Sequence, residues 1–379
     1  MVRNYSLSDF KDFQNADTLV NLGNSVSTIG NVFYRINFIL ACVGVAINSF
    51  HILVLSRKSM LTSVINVFLI GIAFSDCVNL SILVHKIWLS VAEIDECALP
   101  KTPFEKIFLY ILLVLKDDFR RLSTCFGILM AFLRYVIIRN VLNPKYDYLS
   151  KPFIAWMTIL IAFIISTILS FYYLARLKLI STGVWVAPEI CGYNSNYSVP
   201  IYNFTQNDLF FSSRDIYRAV ISFDGVLKMV PVLVLPLVAI CLVRELRAAE
   251  KARRKISTIR ASSQNSNATY NTSKMVIIMT ITCIIAEGPL GVDLIIEGLV
   301  ANSAPLRNMV VDIGEILSVF VTLNATTHFF VCLAVSRQYR SAMKELISFR
   351  KPKKPLTITP KISNASIVTI RQVNVRLES

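Results

Sequence analysis

Long apolar stretches alternate with shorter polar stretches along most of the chain. Seven of the apolar stretches are long enough to cross the hydrocarbon layer of a membrane, which takes about 20 residues in helical conformation. They cover residues 33–55, 64–90, 104–138, 152–174, 219–243, 275–300 and 308–335. This pattern predicts an all-α membrane protein whose seven transmembrane helices form one bundle.

The segment after the seventh stretch is polar, but its apolar residues recur at helical spacing. Residues 336–349 are therefore predicted to form a short amphipathic helix on the membrane surface. The predicted organisation is an extracellular N-terminus over residues 1–32, a seven-transmembrane domain over 33–335, this surface helix, and a disordered cytoplasmic tail over 350–379.

Composition and charge also indicate a membrane location. Hydrophobic residues make up 54% of the chain and charged residues 17%, with a mean hydropathy of +0.58; soluble domains carry about 25% charged residues. One set of loops, with the C-terminal tail, holds 23 Lys and Arg residues and the other set holds 10. By the positive-inside rule the first set is cytoplasmic and the N-terminus extracellular. We therefore read the net charge of +15 as a sign of a multi-pass plasma-membrane protein and not of nucleic-acid binding.

The predicted outer loops carry modification signals. Glycosylation sequons begin at Asn4, Asn196 and Asn203, although Asn267 and Asn271 match the same motif on the inner side. The second outer loop, residues 176–218, is long and aromatic, which is typical of a functional or a disordered loop.

Two of the eight cysteines lie in outer loops, and the other six lie within predicted spans. An oxidising compartment favours a disulfide between the two loop cysteines, Cys97 and Cys191. Two free thiols are the alternative.

The third apolar stretch carries charges near both of its ends. Asp117, Arg120 and Arg121 follow i, i+3, i+4 spacing and share a helix face, and about 20 Å of helix separates Arg121 from Arg134. Charges at membrane depth are costly, so they should face the protein interior or a wet cavity. We predict a charged cavity at one end of this helix; an internal ladder of salt bridges without a ligand is the alternative.

Charges at similar depth occur on four other spans. The candidate ligand-binding residues are Lys86, Lys116, Asp117, Arg120, Arg121, Asp224, Lys228, Glu287 and Glu315. Their mixed sign favours a ligand with charges or amide groups of its own. An unpaired Glu287 would be costly inside the bundle, so we predict that it pairs with Arg121 or Lys228.

A second polar group lies deeper, near the middle of the bilayer. Measured from the inner ends of their spans, Asp76, Ser123 and Asn324 fall at about 16–18 Å. Their oxygens could hold Na⁺, or they could form a structural cluster bridged by water.

Several of these residues stand at positions that resemble the motifs of rhodopsin-like G-protein-coupled receptors. Asn48 and Asp76 match polar positions of the first two helices, and Leu133-Arg134-Tyr135 stands where that family has Asp-Arg-Tyr. Two further matches depart from the pattern: residues 286–289 read Ala-Glu-Gly-Pro for Cys-Trp-x-Pro, and residues 324–328 read Asn-Ala-Thr-Thr-His for Asn-Pro-x-x-Tyr. The resemblance implies that Arg134 and Tyr135 lie at the face that couples to a heterotrimeric G protein.

The departures, together with the sequences around the first, third and seventh spans, resemble the nematode serpentine receptors of class W. That family is similar to receptors for FMRFamide and other neuropeptides, and it is grouped with chemoreceptors. The resemblance implies a receptor for a peptide; a chemosensor for small polar molecules is the alternative within the same class.

Other classes of function find less support in the sequence. There is no metal-ligand spacing and no activated serine or cysteine, and the histidines are only His51, His85 and His328. We therefore expect neither an enzyme nor a cofactor. A seven-span transporter is the alternative of another class, but the chain has no internal repeat of the kind that many transporters show.

Overall fold

The structure, a computed structural model, describes residues 3–92, 97–140, 143–175, 177–193, 197–206, 214–256 and 263–348. Residues Met1–Met343 form one compact unit, and Lys344–Ser379 form a second, of which the described part is residues 344–348.

Seven long helices make up most of the first unit. They are α1 (Ala16–Leu55), α2 (Val64–Ala92), α3 (Pro103–Arg139), α4 (Pro152–Ala175), α5 (Arg214–Ile256), α6 (Ser263–Leu299) and α7 (Ala304–Val335), followed by α8 (Arg337–Ile347). All seven are long and apolar enough to cross a membrane. The predicted fold class, a bundle of seven transmembrane helices, is confirmed.

The connections define two ends of the bundle. The α2–α3, α4–α5 and α6–α7 connections lie at one end, where residues Leu177–Val186 and Ser198–Gln206 pair as an antiparallel hairpin, β1–β2. We call this the hairpin end, and the opposite end, which leads into α8, the α8 end. A disulfide joins Cys97, before α3, to Cys191, between the strands, as the sequence predicted.

Three helices extend about three turns or more beyond the predicted apolar stretches. α1 begins at Ala16 and not at residue 33, α5 continues to Ile256, and α6 begins at Ser263. The added turns are polar, so hydropathy gave no signal for them. The hairpin occupies what the sequence showed only as a long aromatic loop, and its β2 strand packs against α3 through Tyr110 and Phe204, whose ring centroids are 4.8 Å apart.

Local sequence explains several of these boundaries and contacts. The Thr102 side chain caps the start of α3, where Glu105 accepts a hydrogen bond from the Thr102 N–H at 2.8 Å. Gly225 lets α5 approach α6 closely, because a Cβ there would lie 2.9 Å from the carbonyl oxygen of Gly291. The fully buried Tyr339 of α8 shares a 2.7 Å hydrogen bond with His51 of α1, so the start of α8 is anchored in the bundle.

Candidate functional site

Charged side chains from five helices lie together in the half of the bundle nearest the hairpin. We call them the charged cluster: Lys86 of α2, Lys116, Asp117, Asp118, Arg120 and Arg121 of α3, Asp224 and Lys228 of α5, Glu287 of α6, and Glu315 of α7. All but Asp118 were predicted as ligand-binding residues. Among the described residues of the cluster, two ion pairs join different helices: Lys86–Glu315 at 3.2 Å and Arg121–Asp224 at 3.8 Å.

Asp117 is the accessible acid of the cluster. Its side chain is 50% exposed, although it lies in the middle of a membrane-spanning helix. Lys116 and Arg120 approach its carboxylate to 3.6 and 3.8 Å, and both of these cations are largely covered. The cluster therefore presents a carboxylate toward open space, with positive charge behind it.

Arg121 is held from three sides. Its guanidinium lies 3.7 Å from Asp118 and donates a 2.8 Å hydrogen bond to Ser170 of α4, in addition to the pair with Asp224. The Tyr173 ring lies 5.7 Å from it. Arg121 thus joins α3, α4 and α5, and these contacts fix its orientation.

Asp118 is the residue of the cluster that the sequence did not predict. It is 1% exposed, and it accepts a short hydrogen bond from Ser166 of α4. Its position just after Asp117 turns it by about 100° around the helix, away from the predicted face. Its spacing of three residues from Arg121 was the available signal.

Glu287 does not form the close ion pair with Arg121 or Lys228 that its depth in the bundle suggested. It is 3% exposed, and the residues described by the structure provide no ion pair to its carboxylate within 4.0 Å. Arg121 is already paired with Asp118 and Asp224, and Lys228 also pairs with Asp224. The positive charges that reach Glu287 are those of Arg120 and Lys228, at longer range.

The second polar group lies nearer the α8 end. Asp76 and Ser123 are buried, and His328 Nε2 lies 4.0 Å from Asp76 Oδ2. Ser123, Asn324 and His328 line a small cavity of about 40 Å³ between the helices. Asp76 Oδ2, Asn324 Oδ1 and His328 Nδ1 are buried without a hydrogen-bond partner in the described chain, which suits a bridging water or a cation. Sodium at Asp76, Ser123 and Asn324 stays a prediction, and His328 is the neighbour that the sequence did not suggest.

Arg134 lies at the α8 end of α3 and is 7% exposed. Its Nε and Nη1 atoms have no hydrogen-bond partner among the residues that the structure describes. Tyr135 accepts a 2.7 Å hydrogen bond from Arg139. The coupling role of Arg134 and Tyr135 stays a prediction.

The three predicted glycosylation sites lie in different parts of the chain. Asn4 is exposed. Asn203 is exposed on β2 and donates a hydrogen bond to Thr182 at 2.8 Å. Asn196 lies outside the described residues.

Comparison with known proteins points to one family. The family model described as "Serpentine type 7TM GPCR chemoreceptor Srw" matches residues 35–350, which is most of the chain. A search of curated proteins finds no match.

Proposed function

This chain belongs to the Srw family of serpentine seven-transmembrane G-protein-coupled receptors, and from that premise we propose that its ligand is a peptide of the FMRFamide-like neuropeptide class. Ligand binding at the hairpin end is transmitted through the helices to a heterotrimeric G protein at the α8 end. Receptors of this kind are non-enzymatic in general.

The charged cluster carries the proposal. A peptide offers amide groups along its length together with charged side chains or termini, so it suits a surface on which both signs of charge are fixed in place. Asp117 suits a cationic group, because its carboxylate is half exposed. An arginine side chain of the ligand could form a bidentate pair there. Lys86, Arg120 and Lys228 suit carbonyl oxygens or a carboxylate.

The hairpin supports the same proposal. Tyr193 stacks on Tyr197 with ring centroids 5.1 Å apart, and Trp185 meets Tyr193 edge to face. The disulfide and the Tyr110–Phe204 contact hold this aromatic group near the start of α3. Aromatic side chains at the same end of the bundle as the charged cluster offer the large contact area that a flexible peptide needs to offset its loss of conformational freedom.

We further propose that the hairpin end is extracellular and the α8 end cytoplasmic, in the plasma membrane. The excess of Lys and Arg in the α8-end loops and the disulfide at the hairpin end support this orientation. Arg134 and Tyr135 would then lie at the face that meets the G protein, and glycans on Asn4, Asn196 and Asn203 would lie outside.

A receptor for small polar molecules is the second candidate. The description of the family as chemoreceptors favours it. Such a ligand would use a few groups of the charged cluster and need no contact with the hairpin.

The two candidates can be separated in cells that express the full chain together with a G-protein reporter. Amidated peptides and small polar metabolites are applied in parallel, with calcium or cyclic nucleotide as the readout. We expect response to peptides that contain arginine, and we expect Asp117→Asn to reduce their potency at least tenfold. Asp147→Asn, at the α8 end, is the matched control and should leave potency unchanged. Responses confined to small molecules would reject the peptide proposal.

A further inference from the structure

The N-terminal segment, residues 3–10, packs along the first turns of α1 and the start of α7. Phe10 is fully buried and lies in an apolar cluster with Tyr5 and Met309 of α7. Leu19 of α1 packs against the same cluster. The segment thus occupies a groove between the extension of α1 and the hairpin end of α7.

Side chains of α1 bind the main chain of this segment. Asn24 accepts a hydrogen bond from the Tyr5 N–H at 2.8 Å and donates one to the Tyr5 carbonyl oxygen at 3.3 Å. Ser27 accepts a hydrogen bond from the Arg3 N–H at 2.6 Å. These contacts recognise an extended peptide backbone and do not depend on which side chains it carries.

One buried carboxylate receives both inward-facing side chains of the segment. Arg3 Nη1 donates to Asp312 Oδ1 at 2.7 Å and to the Asn308 carbonyl oxygen at 2.8 Å. The Tyr5 hydroxyl donates to Asp312 Oδ2 at 3.3 Å. Burial, with the nearby charge of Asp312, raises the pKa of Tyr5 to about 12, so the hydroxyl keeps its proton at neutral pH. Asn4, between the two, is exposed.

The groove has room for an aromatic ring at one place. A Cβ on Gly23 would lie 2.9 Å from Cδ2 of Tyr5, so a larger residue there would push the ring out. The groove therefore selects for an arginine, an aromatic residue two positions later, and an extended backbone between them.

We propose that this groove, formed by Gly23, Asn24, Ser27, Asn308 and Asp312, is a binding site for an extended peptide of the pattern arginine-x-aromatic. The chain's own residues 3–5 occupy it as a displaceable internal ligand. The Arg3 side chain is 40% exposed, so water and competing ligands can reach its ion pair with Asp312. The tether to α1 keeps the internal ligand at high effective concentration, about millimolar for a short flexible connection. The proposal holds whichever ligand the charged cluster binds.

The test uses the full chain in lipid nanodiscs, with a protease recognition sequence inserted between the exposed Gln14 and Asn15. After cleavage and washing, a fluorescent synthetic peptide of residues 1–14 is added, and its binding is followed by anisotropy. We expect saturable binding to the cut receptor and much less binding to the uncut receptor, whose groove is filled.

The pattern of variants identifies the groove. Arg3→Ala in the peptide should weaken binding at least tenfold, whereas Lys11→Ala, which removes an exposed cation, should leave it unchanged. Asp312→Asn in the receptor should match Arg3→Ala. If that variant folds poorly, Gly23→Ala provides the same test by steric means.

Two outcomes would overturn the proposal. One is the absence of saturable binding to cut receptor that keeps its thermal midpoint. The other is an affinity that stays the same with Arg3→Ala in the peptide and with the receptor variants. In the uncut chain, trypsin should cleave after Lys11 several-fold faster when Asp312 is replaced by Asn, and an unchanged rate would also count against a docked segment.

Discussion

Arg121 and Arg134 lie on the same helix, α3, but their surroundings differ. Arg121, at the hairpin end, has two carboxylates within 4.0 Å and a serine acceptor on α4. Arg134, at the α8 end, is buried with Nε and Nη1 unpartnered in the described chain. A buried cation without a partner is costly, by several kcal/mol in typical cases.

The difference separates two uses of buried charge. At the hairpin end the cations are compensated within the protein, so the cluster is a fixed surface that a ligand can read without large rearrangement. At the α8 end, Arg134 has no carboxylate partner among the residues that the structure describes. A partner that supplies a carboxylate or carbonyl oxygens to Arg134 would bind more tightly, because it would remove the cost of burying this charge without a partner. We infer that a G protein is such a partner.

The largest effect that would sharpen this comparison is expected at Asp118. Asp118→Asn removes a buried charge from Arg121 and changes the acceptor of Ser166. Breaking a buried pair by removing one partner costs about 3–5 kcal/mol, so the thermal midpoint and the surface expression should both fall sharply. Asp117→Asn is the matched control: its side chain is half exposed, and its loss should cost about 1 kcal/mol or less. Equal effects of the two variants would mean that Asp118 does not hold the helices together.

The next effect concerns the disulfide at the hairpin end. Cys97→Ser should destabilise the receptor by about 2–4 kcal/mol, because the bond restricts the unfolded chain across a separation of 94 residues. Thermal unfolding in detergent measures the loss, and Cys42→Ser, at an exposed free thiol of α1, is the control. Two results would contradict the bond. One is a thermal midpoint of Cys97→Ser equal to that of the unsubstituted receptor, and the other is the detection of free Cys97 and Cys191 thiols in the unsubstituted receptor by mass spectrometry.

Arg134→Leu should act in the opposite direction on stability. Removing a buried guanidinium that has no carboxylate partner in the described part of the chain should raise stability by about 1–2 kcal/mol, while Arg121→Leu should lower it. Nucleotide exchange on the G protein should be lost in Arg134→Leu with cell-surface expression retained. A destabilised Arg134→Leu receptor would indicate that this arginine has a partner within the protein. Normal nucleotide exchange by the same variant would show that Arg134 is not needed for coupling to the G protein.

Sequence predicted the architecture because each span is a long apolar window, and such windows have few alternative structures. It did not predict the first turns of α1, where polar residues and Gly23, Ser27 and Gly30 replace the apolar signal. The N-terminal segment covers Gly23 and Ser27, and Asp312 of α7 lies against Gly30. Contacts of this kind leave no periodic pattern in hydropathy.

The same limit applies to the charged cluster. Depth along each helix was enough to bring the predicted residues into one half of the bundle. Depth does not fix the rotation of a helix about its axis, and rotation decides which charges meet. For this reason the sequence did not predict the pairs Lys86–Glu315 and Arg121–Asp224 or include Asp118 among the site residues. Of the two partners expected for Glu287, neither forms a close ion pair with it, although the charge of Lys228 acts on it at longer range.

The smallest effect, and the finest test of the comparison, is the coupling of Glu287 to the cations around it. The structure gives Arg121 two other carboxylates, so a double-mutant cycle of Glu287→Gln with Arg121→Gln should yield less than about 0.5 kcal/mol. The cycle with Arg120→Gln should yield a larger coupling energy. Of the two cations that attract the Glu287 carboxylate, Arg120 and Lys228, Arg120 has the larger effect. Both cycles are measured as free energies of unfolding in the same detergent.

A larger coupling energy with Arg121 than with Arg120 would support the Glu287–Arg121 ion pair that we expected from depth in the membrane. The expected order instead leaves Glu287 as an acid that is buried but not paired at close range, the negative counterpart of Arg134. An arginine or amine of the ligand could then approach it without first breaking an ion pair. By this argument Glu287→Gln should weaken a cationic ligand by more than it changes the stability of the receptor.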